Sequence, residues 1–181
     1  VVVLDQIKSL ATTSHPYRTL VIDSFSKLYN TAIAVEYDRM EREKTHKDMT
    51  KTFGAEKKPA VARSKQMISW FTRLDMNVLL VCHEKALWKD SEQIGDTFDG
   101  WDKLEYELDL IIQITKQGAA RKAKIGKNRL KQFREGEVIE WSYAEFASRY
   151  GIEVIEAEST HVEPATAEQI ESVSSLADLV K

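Results

Sequence analysis

Cysteine is almost absent from this chain: Cys82 stands alone among 181 residues. No disulfide framework can form within it, which fits a reducing, cytosolic setting. The four histidines, His15, His46, His83 and His161, are far apart, and none stands at zinc-ligand spacing with Cys82. Structural zinc modules and a serine–histidine–aspartate hydrolase therefore have no support in the order of residues. No apolar run approaches the roughly 18–20 residues of a membrane span, and no signal peptide is visible. No internal repeat is visible along the chain. The glycine-rich phosphate loop is missing too. The one Gly-Lys pair is Gly126-Lys127, and G-x-x-x-x-G-K-[ST] would need Gly at 121 and Ser or Thr at 128, where Arg121 and Asn128 stand.

What is present is a hydrophobic content of 43%, enough for one core. Basic residues (26) nearly balance acidic ones (29), so net charge names no partner, but the distribution is uneven. Residues 116–134 hold eight Lys or Arg and no carboxylate, while residues 150–180 hold seven carboxylates and no Lys or Arg. One segment is thus suited to a polyanion and another to water or a partner. The chain is apolar from Val1 onward, which reads as the middle of a domain whose N-terminal part is incomplete.

Along the chain, residues 1–10 read as a strand end running into a helix, stopped by the turn before Pro16. "TLVID" is a short β-branched run, suited to a strand covered on both faces. Helical spacing follows over residues 28–53, is broken near Gly54, and resumes over residues 61–74. "NVLLVCH" predicts a second buried strand, residues 85–103 a polar loop, and "LDLIIQI" a third buried strand. Strands near 121–129 and 138–141, joined at Glu135-Gly136, suggest a hairpin. Ser142 is placed to cap "YAEFASRY", which Gly151 ends. Strands alternating with helices predict an α/β fold with a mostly parallel central sheet and helices on both faces, a C-terminal β-hairpin and a short helical tail. Residues 1–156 form the core in this reading, and residues 157–181 an acidic linker and helical extension.

In such sheets ligands bind beyond the carboxyl ends of the strands. Asp23 and His83 each end a strand and would share one crevice. Asp23 there suits Mg²⁺, which keeps several waters; the plainer alternative is a cap on the following helix. For His83 the alternative is a histidine at the edge of the core. Lys127 and Arg129 alternate and could clamp phosphate oxygens, with Lys122, Lys131 and Arg134 as solvated neighbours. The same basic hairpin suits the backbone of single-stranded nucleic acid. Lys85, Trp88, Lys89 and Trp101 combine cations with aromatics, the composition of a base-stacking platform, although five neighbouring carboxylates dilute the field and the rings could instead tuck into the domain edge.

Taken in order, "YRTLVIDSFSKLY", "NVLLVCHEKALWKD", "ELDLIIQI" and "KIGKNRLKQF" resemble the ATPase domain of phage RecA-like proteins, in particular Sak-type single-strand-annealing ATPases and related phage AAA-family nucleotide-binding proteins. The resemblance covers roughly residues 4–155, and "ATAEQIESVSSLADLVK" is similar to their helical extension. It implies a three-layer P-loop core binding ATP and Mg²⁺. Asp23 would be the Walker B carboxylate serving Mg²⁺, with Ser24 in support. His83 would be the sensor residue coupling the γ-phosphate to a DNA-binding loop after it. Lys127 and Arg129 would reach a neighbouring subunit's nucleotide. Single-stranded DNA and a homo-oligomeric ring or filament are the implied partners, in phage recombination or replication, within the host cytoplasm. The Walker A loop and the catalytic glutamate have no counterpart here, so no general base is assigned. A non-catalytic nucleic-acid-binding or interaction module is the alternative, and another P-loop enzyme such as a kinase or helicase the third reading.

Overall fold

A computed structural model describes residues 2–43 and 52–160. The chain divides into two compact units, residues 1–107 and 108–181.

The first unit is built on one parallel strand pair. Helix α1 (Val2–Thr12) is helical from its first described residue, where a strand end was expected; Val3, Ile7 and Leu10 recur at i, i+4 and i+7, and Ile7 is buried. Strand β1 (Thr19–Asp23) leads into α2 (Phe25–Arg42), which begins three residues earlier than its spacing suggests. The reason is Ser24, whose Oγ accepts from the Lys27 N–H at 3.3 Å and so caps the helix. The expected extension of this helix over residues 44–51 lies outside the described residues. Helix α3 (Lys57–Phe71) likewise starts earlier than expected. Pro59 falls in its first turn, where an N–H would have no intrahelical partner, so it does not break the helix. Strand β2 (Asn77–Val81) pairs parallel with β1, Val21 opposite Leu79 and Asp23 opposite Val81.

Covering on both faces does not hold for this pair. Ile22 is buried, but Val21, Leu79 and Val81 are 55%, 47% and 41% exposed. Alternation places these three on one face, and that face is open. Helix α2 packs on α3, and α3 on α1, giving a helical layer that contains Phe25, Tyr29, Met67, Ile68 and Phe71. Trp70 in α3 sits under two cations, Lys8 at 5.9 Å and Arg73 at 4.5 Å from its ring.

Residues 85–103 are not a loop. They form a hairpin of β3 (Glu84–Lys89) and β4 (Glu92–Phe98), followed by a 3₁₀ turn at Leu104–Glu107. Asp90 and Ser91 form its two-residue turn, with φ of 51° and 68°, the left-handed pair that matches strand twist in a type I′ hairpin. A register shift between Leu87 and Trp88 leaves Ile94 as the extra residue of a bulge.

In the second unit, β5 (Leu110–Gln117), β6 (Ala120–Asn128) and β7 (Val138–Glu140) form an antiparallel sheet in that order. "LDLIIQI" was expected in a parallel sheet; its hydrogen-bonded neighbour is β6, antiparallel. Among the described residues β1–β2 is the only parallel pairing. The molecule is thus mixed α/β with small sheets, and the expected mostly parallel sheet is represented by two strands. The hairpin near 121–141 forms as expected: Lys122 pairs with Glu140 and Lys124 with Val138, and Gly136 takes φ 81° in the connection. Helix α4 (Tyr143–Tyr150) is capped by Ser142, whose Oγ accepts from the Glu145 N–H at 3.1 Å, and it ends at Gly151 with φ 110°. Helix α5 (Ile152–Thr160) follows. The tail expected to form a helical extension lies outside the described residues from residue 161 onward. Ala123, Ile125, Phe133 and Ile139 form this unit's core, packed by Leu110, Ile112, Leu130, Phe146 and Tyr150. Phe133, Phe146 and Tyr150 stack in sequence at centroid distances of 5.3 and 5.8 Å. Arg149 fastens α4 to the sheet connection through Glu137 at 2.8 Å and to its own helix through Glu145 at 2.6 Å. Among the described residues, no helix is long and apolar enough to cross a membrane.

Candidate functional site

Because β1 and β2 run parallel with Asp23 opposite Val81, their carboxyl ends lie at the same edge. The chain leaves β1 through Ser24 into α2 and leaves β2 through Cys82 and His83 into β3. Asp23 and His83 are both exposed, while Ser24 is buried. The amino end of α2 begins at this edge, where the helix dipole favours an anion. Beside it, α1, β1 and the first turn of α2 enclose a cleft of about 290 Å³ whose polar lining is Gln6, Asp23, Ser24 and Lys27.

Ser26 organises this edge. It is fully buried; its Oγ donates to the Asp99 carbonyl at 2.5 Å and accepts from the His83 N–H at 2.9 Å. The His83 carbonyl in turn accepts from the Asp99 N–H at 2.7 Å. One helix residue therefore ties the end of β2 to the end of β4. Asp99 also accepts from Asn30 Nδ2 at 2.5 Å, and the Lys85 ammonium lies 3.8 Å from Asp99 and 3.7 Å from Asp102. Burial pushes the Cys82 thiol above its usual range, a shift that the Ser26 hydrogen bond opposes and Asp99 reinforces. Burial also raises the Tyr29 hydroxyl, helped by Asp102 and Asp99. Ser26, Tyr29 and Asn30 do not stand out in the sequence, and Asp99 enters there only as one of the five carboxylates near Trp88 and Trp101. The only local trace of Ser26 is its place two residues behind the Ser24 cap, and Asp99 is 73 positions away from it.

The residues proposed from the sequence separate into four places. Asp23, Ser24 and His83 stand together at the strand ends. Lys85, Trp88 and Lys89 belong to the β3–β4 hairpin: Lys85 is held by two carboxylates, Trp88 is 62% exposed and Lys89 is exposed. Trp101 is only 9% exposed, with the Lys65 ammonium 5.5 Å from its ring centroid; its indole is packed inside the unit. Lys127 and Arg129 lie in the second unit, Lys127 near the end of β6 and Arg129 just beyond it, where its N–H donates to the Asp109 carbonyl at 2.7 Å and its guanidinium lies 3.5 Å from the Asp109 carboxylate.

No group of three or more His, Cys, Asp or Glu suited to a metal ion occurs among the described residues. A resident metal cage is therefore not what this edge offers. It offers one exposed carboxylate, Asp23, which fits Mg²⁺ arriving with a nucleotide, since that ion takes most of its ligands from water and phosphate. Gly126 and Lys127 sit inside β6, paired antiparallel with β5, not between a strand and a helix, so they do not form a phosphate cradle.

Comparison with curated proteins and with solved structures gives no match. A family model described as an AAA domain matches residues 1–139, over three quarters of the chain. The match spans the strand pair with Asp23, the β3–β4 hairpin and the second unit as far as β7, and so this chain belongs to the AAA domain family of nucleotide-binding ATPases.

Proposed function

We propose that the chain is the RecA-like part of an ATP hydrolase that bears the Mg²⁺-side carboxylate, and that it acts as a homo-oligomer on single-stranded DNA in phage recombination or replication. The observation that carries this reading is the parallel register that sets Asp23 and His83 at one edge of the sheet, next to the amino end of α2. When ATP and Mg²⁺ are bound, the metal neutralises charge on the transferring phosphoryl group. Asp23 would hold the metal, and Ser24 fixes the helix start behind it. His83 senses the nucleotide, and its backbone passes the change to the hairpin because Ser26 and Asp99 hold both its N–H and its carbonyl. Lys127 and Arg129 serve a neighbouring copy's nucleotide.

The DNA surface in this proposal is the distal part of β5–β6. Lys116 pairs directly with Arg121, and Thr115 with Lys122. Lys116, Arg121 and Lys124 are exposed, and the segment contains no carboxylate. Such a strip attracts a phosphate backbone with strong salt dependence.

The test is ATP turnover by the full-length protein, with and without single-stranded DNA, beside Asp23→Ala. Wild type is expected to turn over ATP and the variant to lose at least about tenfold, the scale of one transition-state interaction of about 1.4 kcal/mol. Equal turnover by the two would reduce Asp23 to a strand end. DNA binding without any turnover in either would replace the proposal by a non-catalytic nucleic-acid-binding module.

A further inference from the structure

The register of the second unit brings an indole and two cations into one row. Lys116 pairs with Arg121 across β5–β6. Lys122 pairs with Glu140 and Ala123 with Ile139 across β6–β7. The ladder runs one residue past β7, where the Trp141 N–H donates to the Arg121 carbonyl at 3.1 Å. Lys116, Arg121 and Trp141 therefore lie side by side across the sheet. Alternation gives them the face of Ala123 and Ile139, one step beyond the core. All three are exposed, Trp141 at 42%.

The surroundings of the row favour a polyanion. Residues 110–134 contain no carboxylate. Glu140 and its partner Lys122 belong to the opposite face by the same alternation, and Glu137 and Glu145 are held by Arg149. The turn that closes β5–β6 is Gly118-Ala119, whose side chains are too small to cover the row. No other tryptophan is set this way. Trp101 is packed inside its unit, Trp70 is half-buried, and Trp88 stands among Asp90 and Glu92.

We propose that Trp141 stacks an unpaired base of a single strand whose phosphates run along Arg121 and Lys116. The inference rests on the nucleic-acid reading of β5–β6 given above and adds the group that tells a single strand from a duplex. Cations alone hold any phosphate backbone. An indole on the open face of a sheet stacks only a base whose own face is free, and duplex bases are already stacked on each other.

The experiment is fluorescence anisotropy on the full-length protein, with and without ATP, using labelled oligothymidylate, an abasic strand of the same length and a duplex. Trp141→Ala should lower affinity for oligothymidylate roughly ten- to hundredfold, the scale of one base–aromatic stack. Its affinity for the abasic strand, and the salt dependence of binding, should stay as in wild type. Trp141→Phe should keep most of the affinity, and Trp88→Ala should bind as wild type does. Arg121→Ala should weaken binding to both strands alike and reduce the salt slope by about one. Wild-type affinity in Trp141→Ala overturns the inference while leaving the cationic surface in place. An equal loss on the abasic strand overturns it as well, because the indole would then only support the sheet. A wild type that binds no strand in any condition overturns this inference and the nucleic-acid reading together.

Discussion

Among the described residues two antiparallel hairpins carry a register shift, β3–β4 between Leu87 and Trp88 and β5–β6 between Leu110 and Ile112, and they are stabilised in opposite ways. In β5–β6 one face is core: Ala123 and Ile125 are fully buried against Phe133 and Ile139, and the register is pinned because a one-residue slip would turn those side chains to water. In β3–β4 the distal half has no covered face, and the hairpin is held at its base by the Ser26–His83–Asp99 ties and by Lys85 between Asp99 and Asp102. A buried face fixes a strand and leaves its outer side chains free to vary, here as a cationic strip. A tethered base leaves the whole tip available, here as an apolar, weakly acidic one.

The comparison breaks first at Ile125. Replacing a fully buried isoleucine by alanine removes three carbons and leaves a cavity, at a cost of about 2–5 kcal/mol. Ile125→Ala should lower the urea midpoint and speed amide exchange through β5, β6 and β7. Equal stability to wild type would mean that the second unit is not held by this cluster. The next effect is smaller and belongs to the other hairpin. Ser26→Ala takes a donor from the Asp99 carbonyl and an acceptor from the His83 N–H, a loss of about 1–3 kcal/mol for polar groups left without partners. Exchange should rise at His83 and along β3–β4 while β5–β6 keeps its protection. A change confined to α2 would show that Ser26 serves the helix alone.

How far the sequence could be read follows the same division. Where burial sets the pattern, the residues announce it: "TLVID", "NVLLV" and "LIIQI" are strands, and Ser142 and Gly151 bracket α4 as their chemistry requires. Cover and pairing were less visible, because an apolar run marks a strand but neither how far it is covered nor which neighbour it pairs with; hence β1–β2 keeps one exposed face, and β5 read as parallel although it pairs antiparallel with β6. The β3–β4 hairpin was illegible for a further reason. Its tip buries nothing, so no apolar alternation marks it, and Asp90-Ser91 lacks the glycine that usually signals a type I′ turn. At the candidate site, Asp23 and His83 could be found because each ends a strand. Ser26 and Asp99 could not, since the bond between them crosses 73 positions and neither residue type is unusual where it stands.

The smallest expected effect is the sharpest for the comparison. Trp88 carries the largest side chain of the β3–β4 tip and is 62% exposed, so Trp88→Ser should change folding stability by no more than about 0.5 kcal/mol, the range of surface substitutions away from caps and cores. Thermal and urea unfolding of the variant check it directly. A loss of 2 kcal/mol or more, on the scale of a buried aromatic truncation of about 3–5 kcal/mol, would show that the ring packs within its own chain. The tip would then be a second core-held hairpin, and the contrast between the two would disappear. Stability unchanged to within error leaves the indole as surface and keeps the contrast: one hairpin held by its core, the other held at its base.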